Sequence, residues 1–184
     1  MLQQPDQDKG DKTPGASAEL NFTYRPQIKR NEEIIWGFVR DEIERTIDYL
    51  AEKGPVQVVE IGGASLTGLE CLSQSPYFKQ IKYLIVDEAP PANPNLLSEL
   101  GAQYSRSKIQ HLSKEQLGIV HFAVAVRALE YDPDYGTIFN KLHNHSGYPA
   151  YGIFIHNAEN SAVFKQVRDH SSLIQFRLHA IKAL

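Results

Sequence analysis

Acidic and glycine residues at the end of a short apolar run are the features of this sequence best suited to chemistry. The run covers residues 56–61, and Glu60, Gly62, Gly63 and Ala64 lie at its end. This order is typical of a parallel strand that turns into a helix beside a nucleotide-like ligand. Glycine suits such a turn because a side chain would keep the backbone away from the ligand. These four residues are therefore predicted to bind a cofactor.

Polar residues also accompany the later apolar runs of the sequence. Asp87 and Glu88 follow the second run, Gln110 lies within the third, and Arg127 and Tyr131 follow the fourth. They would meet the same ligand if the runs are parallel strands, because such strands present their carboxyl ends at one edge of a sheet.

The spacing of the apolar residues predicts a sheet of this kind. Predicted strands cover residues 56–61, 81–86, 104–111, 119–126, 150–155 and 173–180. Helical patterns separate them, and strands joined through helices need crossover connections, which favour a mostly parallel sheet. We therefore predict an α/β fold, a three-layer αβα Rossmann-like sandwich with a helix before the first strand and about six strands.

Capping residues mark the starts of several predicted helices. Asn31 is predicted to cap a long helix that ends before residue 54. Thr67 and Glu70 are predicted to form a capping box, and Asn93 precedes a proline at a first helical position. Further helices are predicted over residues 132–144 and 160–170.

Composition divides the chain into three parts. Residues 1–19 are polar with almost no large apolar side chain, which predicts a disordered tail. Residues 20–55 are predicted to form a docking segment, which carries Phe22 and Tyr24, and the N-terminal helix. Residues 56–184 are predicted to form the Rossmann-like domain.

Charge and hydropathy argue against several classes of protein. The 184 residues carry a net charge of −3 without a basic tract, so DNA binding is not expected. No apolar run approaches the roughly 18 residues of a membrane span, and the polar N-terminus lacks a signal-peptide core. A single cysteine fits a reducing compartment, and a cytoplasmic location is expected. The last predicted strand would leave an exposed sheet edge, which a homodimer would cover.

Three features together resemble the class I S-adenosylmethionine-dependent methyltransferases, over roughly residues 31–170. The stretch from Glu60 to Ala64 is similar to the first motif of the family, an acid followed by spaced glycines. Asp87 stands where the family places an acid that binds the ribose hydroxyls. Residues 126–144 are similar to the segment that follows the fourth strand of the family. The matching residues there are Leu129, Glu130, Tyr131, Pro133 and Asp134.

The resemblance implies an enzyme that uses S-adenosylmethionine to methylate a small-molecule or peptide acceptor. Such an enzyme mainly aligns a nucleophile with the methyl group and excludes water. His156, at the end of the fifth predicted strand, is the candidate general base, and Tyr131 would stack or donate a hydrogen bond. Arg127 would orient the substrate or the amino-acid end of the cofactor, or would instead pair with Glu130. The implied cofactor contacts are Glu60, Gly62, Gly63, Ala64, Asp87, Glu88, Gln110 and Arg127.

Several residues depart from the pattern of the family. Ala64 and Leu66 stand where the family has glycines, and Gly63 and Gly68 would compensate only if the turn is built differently. Near Gln110 there is no carboxylate of the kind with which members often hold the adenine amine. The family also ends in an antiparallel pair of strands, of which one is evident here.

Two alternative functions stay open. The departures favour a catalytically inactive methyltransferase-like protein that acts as a binding or scaffolding module. An NAD-dependent oxidoreductase would have the same fold, but the pattern G-x-G-x-x-G would require glycine at Ala64 and Thr67.

Metal and thiol chemistry find less support in the sequence. His143 and His145 lie at the end of a predicted helix, and no Cys, Asp or Glu accompanies them at a matching spacing. We expect them to form a solvated helix terminus, where the helix dipole favours cations. Cys71 lies among Leu69 and Leu72 and is predicted to be a core thiol.

Overall fold

The computed structural model describes residues 26–52, 54–126, 128–129, 134–157 and 175–181. The helices in this part of the chain are α1 (Pro26–Ala51), α2 (Thr67–Leu72), α3 (Pro94–Leu100), α4 (Lys114–Leu117) and α5 (Tyr135–Asn144). The strands are β1 (Val56–Ile61), β2 (Ile81–Asp87), β3 (Gln103–Arg106), β4 (Val120–Val126), β5 (Ser146–Asn157) and β6 (Gln175–Ile181). Short 3₁₀ helices occur at Phe78–Gln80 and Ile109–His111. The predicted tail over 1–19 and the predicted helix over 160–170 lie outside the described residues.

The strands form one sheet in the order β3-β2-β1-β4-β5-β6, and every described pairing is parallel. At the carboxyl end of β1, Ile61 pairs with Val86 on one side and with Ala125 on the other. The carboxyl ends of β1, β2 and β4 therefore lie side by side at one end of the sheet. The predicted α/β, Rossmann-like fold is confirmed.

Two apolar cores cover the two faces of this sheet. Val56 and Val58 of β1 belong to the core that contains α1, α2 and α3, whereas Val59 and Ile61 belong to the core that contains α5. The alternation follows from the two-residue period of a strand, and it produces the three layers. By the same alternation Glu60 points to the α1 and α2 side. Among the described helices, none combines the length and the apolar character needed to cross a bilayer.

Two predicted helix starts are wrong. Helix α1 begins at Pro26, so Asn31 lies inside the helix and does not cap it. Proline is accepted at a first helical position because no N–H is needed there. Thr67 is the first residue of α2, and the capping position belongs to Leu66, which makes no side-chain capping bond.

Other element boundaries agree more closely with the sequence. Asn93 caps α3 as predicted, because its side chain accepts hydrogen bonds from the first turn of that helix. Helix α5 begins later than predicted and is capped by Asp134. Strand β3 is shorter than predicted, since the segment continues as the 3₁₀ helix. Helix α4 was not predicted, although Ser113 and Gln116 form a capping box at its start.

Candidate functional site

The turn that joins β1 to α2, residues 62–66, is held against the end of β2 by three hydrogen bonds. The N–H of Gly62 donates to the carbonyl of Val86 at 2.9 Å. The N–H of Ala64 donates to Oδ2 of Asp87 at 2.9 Å. The carbonyl of Ala64 accepts from the N–H of Ala92 at 2.8 Å. The turn therefore leans toward β2 and its following loop.

The two glycines of this turn are required by close contacts with protein groups. Gly62 has a φ of 79°, and a Cβ atom there would lie 2.1 Å from Cβ of Ala128, which follows β4. A Cβ atom at Gly63 would lie 2.3 Å from Cδ of Glu60. We expected these glycines to let a ligand approach the backbone of the turn. In the structure, these positions already adjoin Ala128 and the Glu60 carboxyl group.

The structure also explains why Leu66 is accepted where the family has glycine. Leu66 adopts a left-handed conformation with a φ of 63°, which is costly for a residue with a side chain. Its side chain is 1% exposed and packs into the core beside α1. Gly68 provides the close approach of the two helices, because a Cβ atom there would lie 2.5 Å from the ring of Trp36. The residue that must be glycine for close packing is therefore Gly68 and not residue 66. This agrees with the expectation that Gly63 and Gly68 compensate for Ala64 and Leu66 if the turn is built differently.

Glu60 is a buried acid with one hydrogen-bond donor. It is 3% exposed, and the Tyr83 hydroxyl group donates to its Oε2 at 2.7 Å. Burial raises the pKa of Glu60 to about 8, and the negative charges of Glu32 and Asp87 act in the same direction, whereas the Tyr83 hydrogen bond opposes them. Glu60 is therefore mostly neutral at pH 7.

Asp87 occupies the end of β2, where the sequence predicted a ligand-binding acid. Its Oδ2 accepts from the N–H of Ala64, and its Oδ1 accepts from the N–H of Ala89, each at 2.9 Å. A carboxylate has about four acceptor positions, so these two bonds leave each oxygen able to accept another donor.

The loop after β2 is fastened to β3 by side chains that the sequence did not single out. The Tyr104 hydroxyl group donates to the carbonyl of Ala89 at 2.7 Å, and Nε of Arg106 donates to the carbonyl of Glu88 at 3.0 Å. The exposed carboxylate of Glu88 lies 3.9 Å from Nζ of Lys108. Glu88 therefore lies at the rim of the turn and faces β3.

The structure does not bring every predicted site residue to this turn. Gln110 lies in the 3₁₀ helix after β3, between Ile109 and Leu112, which belong to the core on the α5 side. His156 is the penultimate residue of β5, at the same edge of the sheet, and its side chain lies outside the described part. Arg127 and Tyr131 also lie outside the described residues.

Glu32 and Tyr83 are the residues at this turn that sequence reasoning missed. Glu32 comes from α1, and its Oε2 accepts from the Thr67 hydroxyl group at 3.3 Å. Tyr83 lies inside the mostly apolar run that predicts the strand over residues 81–86. An acid inside an apolar strand was the available signal, since a buried acid needs a hydrogen-bonding partner on the same face of the sheet.

Metal-ligating groups do not gather in the described part of the chain, where no cluster of three or more His, Cys, Asp or Glu could hold an ion. His143 and His145 are only partly exposed, and the Nδ1 atom of each is buried with no hydrogen-bond partner among the described residues. The expected solvated helix terminus is therefore wrong in part. Cys71 is partly buried and packs against the core that contains α1, so the predicted core thiol is confirmed in part. Burial raises the pKa of its thiol group.

Comparisons with known proteins add little to this site. No family model matches the chain, and no curated protein matches it. Among solved structures, a glucose dehydrogenase from Haloferax mediterranei is similar, with a TM-score of 0.46 and 9% sequence identity. The match covers 81% of this chain and 44% of that chain, so this chain spans less than half the length of the dehydrogenase. At this level of similarity, the activity of the dehydrogenase is not carried over.

Proposed function

We propose that this protein is an S-adenosylmethionine-dependent methyltransferase that acts on a small-molecule or peptide acceptor. The observation that carries the proposal is the Asp87 carboxylate at the end of β2, beside the glycine turn. Two backbone N–H groups fix its orientation, from Ala64 and Ala89. The position is the carboxyl edge of a parallel sheet, where doubly wound folds bind nucleotides.

Asp87 suits the ribose of an adenosine-containing cofactor. A ribose presents two adjacent hydroxyl groups, and each can donate one hydrogen bond. Asp87 retains about two acceptor positions after its bonds to the backbone, one on each oxygen. A hydrogen bond to an ionised acceptor is about twice as strong as one between neutral groups. The diol and the carboxylate are therefore complementary in number and in charge.

The remaining roles are proposed for residues that follow later strands in the sequence. Bound S-adenosylmethionine supplies an activated methyl group, so the protein has to align an acceptor and exclude water. His156, near the carboxyl end of β5, is proposed to remove a proton from the acceptor. Tyr131 and Arg127 are proposed to orient the acceptor and the amino-acid end of the cofactor. Glu60, in its neutral form, packs against the Gly63 backbone and is proposed to hold the turn in place.

Dinucleotide binding is the second candidate, and the order of the strands favours it. A parallel sheet in the order 3-2-1-4-5-6 is typical of dinucleotide-binding proteins, in which an acid after the second strand also binds a ribose. The methyltransferase resemblance implies an antiparallel pair at the end, whereas β6 runs parallel to β5. Against this candidate, Ala64 and Thr67 occupy two of the three glycine positions of its motif.

A panel of ligands separates these functions by calorimetric titration of the full chain. We expect S-adenosylhomocysteine and S-adenosylmethionine to bind and compete for one site, adenosine to bind more weakly, and NAD to bind at least about tenfold more weakly than S-adenosylhomocysteine. Binding of NAD without binding of S-adenosylhomocysteine would favour the dinucleotide function. If the folded protein binds none of the four, the methyltransferase proposal fails. The contact of Gly62 with Ala128 would then fit a binding or scaffolding module whose cofactor site is filled by protein.

A further inference from the structure

The carboxyl group of Glu60 lies beneath the backbone of the turn over residues 62–66. The Gly63 backbone lies directly on this group, because a Cβ atom there would be 2.6 Å from both carboxyl oxygens. The Tyr83 hydroxyl group donates to Oε2. Glu60 is 3% exposed, so its carboxyl group has almost no contact with solvent while the turn is in place.

Burial and the neighbouring acids favour the neutral form of Glu60, whereas the Tyr83 hydrogen bond favours its ionised form. The described titratable groups that interact with Glu60 are Glu32 on α1, Tyr83 and Asp87 on β2, and Tyr104 on β3, and Cys71 on α2 interacts with Tyr83. Strand β4 places the apolar Val124 opposite Glu60. Glu32 and Asp87 are acids, and none of the described groups that act on the pKa of Glu60 is cationic. An ionised Glu60 would thus be a buried anion near two other acids, with one hydrogen bond. A buried charge in such surroundings needs either a partner or water.

We propose that residues 62–66 form a gate that is closed over the neutral Glu60 carboxyl group and opens locally when this group loses its proton. Three hydrogen bonds hold the gate closed. The Gly62 N–H group donates to Val86, and the two outer bonds both involve Ala64: its N–H group donates to Asp87 and its carbonyl accepts from the Ala92 N–H group. Leu66, at the other end of the turn, is held in a left-handed conformation that its side chain disfavours. Opening relieves that conformation and lets water reach the Glu60 carboxylate.

The gate controls Asp87 because the two share a hydrogen bond. Opening breaks the hydrogen bond from the Ala64 N–H group to Oδ2 of Asp87. Of the two described bonds to this carboxylate, the one from the Ala89 N–H group to Oδ1 then remains. The orientation of the proposed ribose acceptor is lost at the same time. This consequence rests on the proposed function, whereas the opening of the gate does not.

The pH range of the gate follows from the difference between its two states. In the closed state the pKa of Glu60 is raised to about 8, and in the open state it returns toward the ordinary value of 4.5. The closed state thus binds more protons between these values. The opening equilibrium rises by up to about tenfold per pH unit in this interval and levels off above pH 8.

Amide hydrogen exchange on protein labelled with [¹⁵N]alanine tests the gate directly. Ala64 and Ala92 report its two outer bonds, and Ala125, a fully buried residue of β4 that pairs with both neighbouring strands, is the reference for opening of the sheet itself. After correction for intrinsic exchange, we expect Ala64 and Ala92 to be less protected than Ala125. Their protection should fall by up to about tenfold per pH unit toward pH 8. Exchange of Ala64 at the rate of Ala125 at every pH, or protection independent of pH, would overturn the gate.

Two variants assign the effect to Glu60. In Glu60→Gln the pH dependence of Ala64 and Ala92 should disappear, because the amide does not titrate, whereas Glu99→Gln on the exposed face of α3 should behave as the wild type. If Glu60→Gln does not fold, Tyr83→Phe provides the test. It removes a hydrogen bond that lowers the pKa of Glu60, so protection should level off at a higher pH. An unchanged pH profile in Glu60→Gln, or in Tyr83→Phe, contradicts the proposal.

Added S-adenosylhomocysteine separates the gate from the proposed function. If the ligand binds at Asp87, it should slow the exchange of Ala64 and Ala92 more than that of Ala125. A pH-dependent gate that S-adenosylhomocysteine leaves unchanged would disprove the ribose site and leave the gate standing. Slower exchange with the ligand, but no dependence on pH, would disprove the gate and support the site.

Discussion

Glu60 couples the protonation of a single side chain to the stability of the fold. Its carboxyl group is almost completely buried, and burial is the main cause of its raised pKa. A group whose pKa is higher in the folded state stabilises the fold fully below its unfolded pKa, near 4.5. This contribution is lost as the pH rises toward about 8. Part of the stability of this protein should therefore disappear between mildly acidic and mildly alkaline pH.

Glu60→Gln should remove this part of the pH dependence. The free energy of unfolding, measured by urea denaturation from pH 5 to pH 8, should decline less in the variant than in the wild type. The free energy of unfolding of Glu60→Gln minus that of the wild type should increase by up to about 4 kcal/mol from pH 5 to pH 8, since each unit of pKa difference corresponds to about 1.4 kcal/mol. Glu99→Gln, which changes an exposed carboxylate on α3, should follow the wild type. Parallel pH profiles for the wild type and Glu60→Gln would contradict this account of Glu60.

At the residue scale, the position of Asp87 was predictable and the partners of Glu60 were not. Asp87 directly follows an apolar run, so its place at the carboxyl end of β2 follows from strand periodicity alone. Tyr83 lies in the middle of the same run and looks like core. Its hydroxyl group meets Glu60 only because β1 and β2 pair with Val58 opposite Tyr83. Register of this kind depends on the whole sheet and leaves no local signal.

The connection from β1 to α2 contains Ala64 and Leu66, which depart from the glycine pattern of the methyltransferases. Its glycines serve contacts inside the protein, at Ala128, at Glu60 and at Trp36. Leu66 turns the chain in a left-handed conformation while its side chain fills the core under α1. The connection thus forms without the third spaced glycine of the family, because Gly68 takes over the close helix packing.

Gly68→Ala should destabilise the protein because of its contact with Trp36. The added methyl group would lie 2.5 Å from a ring that is 2% exposed, and such overpacking typically costs about 1–3 kcal/mol. Gly37→Ala is the matched control, since this glycine is also helical and a Cβ atom there meets nothing within 4 Å. The control should be more stable than the wild type by about 0.5–1 kcal/mol. Urea denaturation measures both, and equal effects of the two substitutions would contradict the packing described for Gly68.

At the element scale, most strands and some helix starts follow from sequence pattern, and the exceptions have physical reasons. β1 and β2 match their apolar runs because both faces of a parallel strand are buried. The start of α1 was misplaced because Asn31 is a good cap that is not needed once Pro26 begins the helix. The start of α2 was misplaced because a left-handed leucine replaces a side-chain cap, and propensity does not predict this choice.

The whole molecule combines a parallel, Rossmann-like sheet with a last strand that the methyltransferase resemblance does not imply. Crossovers between apolar runs predicted parallel strands, since helices lie between them. The order of the strands could not be predicted, because it depends on which face each helix covers. β6 lies beside β5 in parallel, and β3 and β6 form the two edges of the described sheet. A homodimer that covers one of these edges stays a prediction.

Titration calorimetry of Asp87 variants with S-adenosylhomocysteine tests the central claim most directly. The account predicts binding to the wild type and at least about tenfold weaker binding to Asp87→Ala, because hydrogen bonds to a charged acceptor contribute about 1.5–3 kcal/mol each. Asp41→Ala removes an exposed carboxylate on α1 and should bind like the wild type. Circular dichroism confirms that each variant is folded. Equal affinity in Asp87→Ala and the wild type, or no binding to the folded wild type, would contradict the claim that Asp87 holds the ribose of the cofactor.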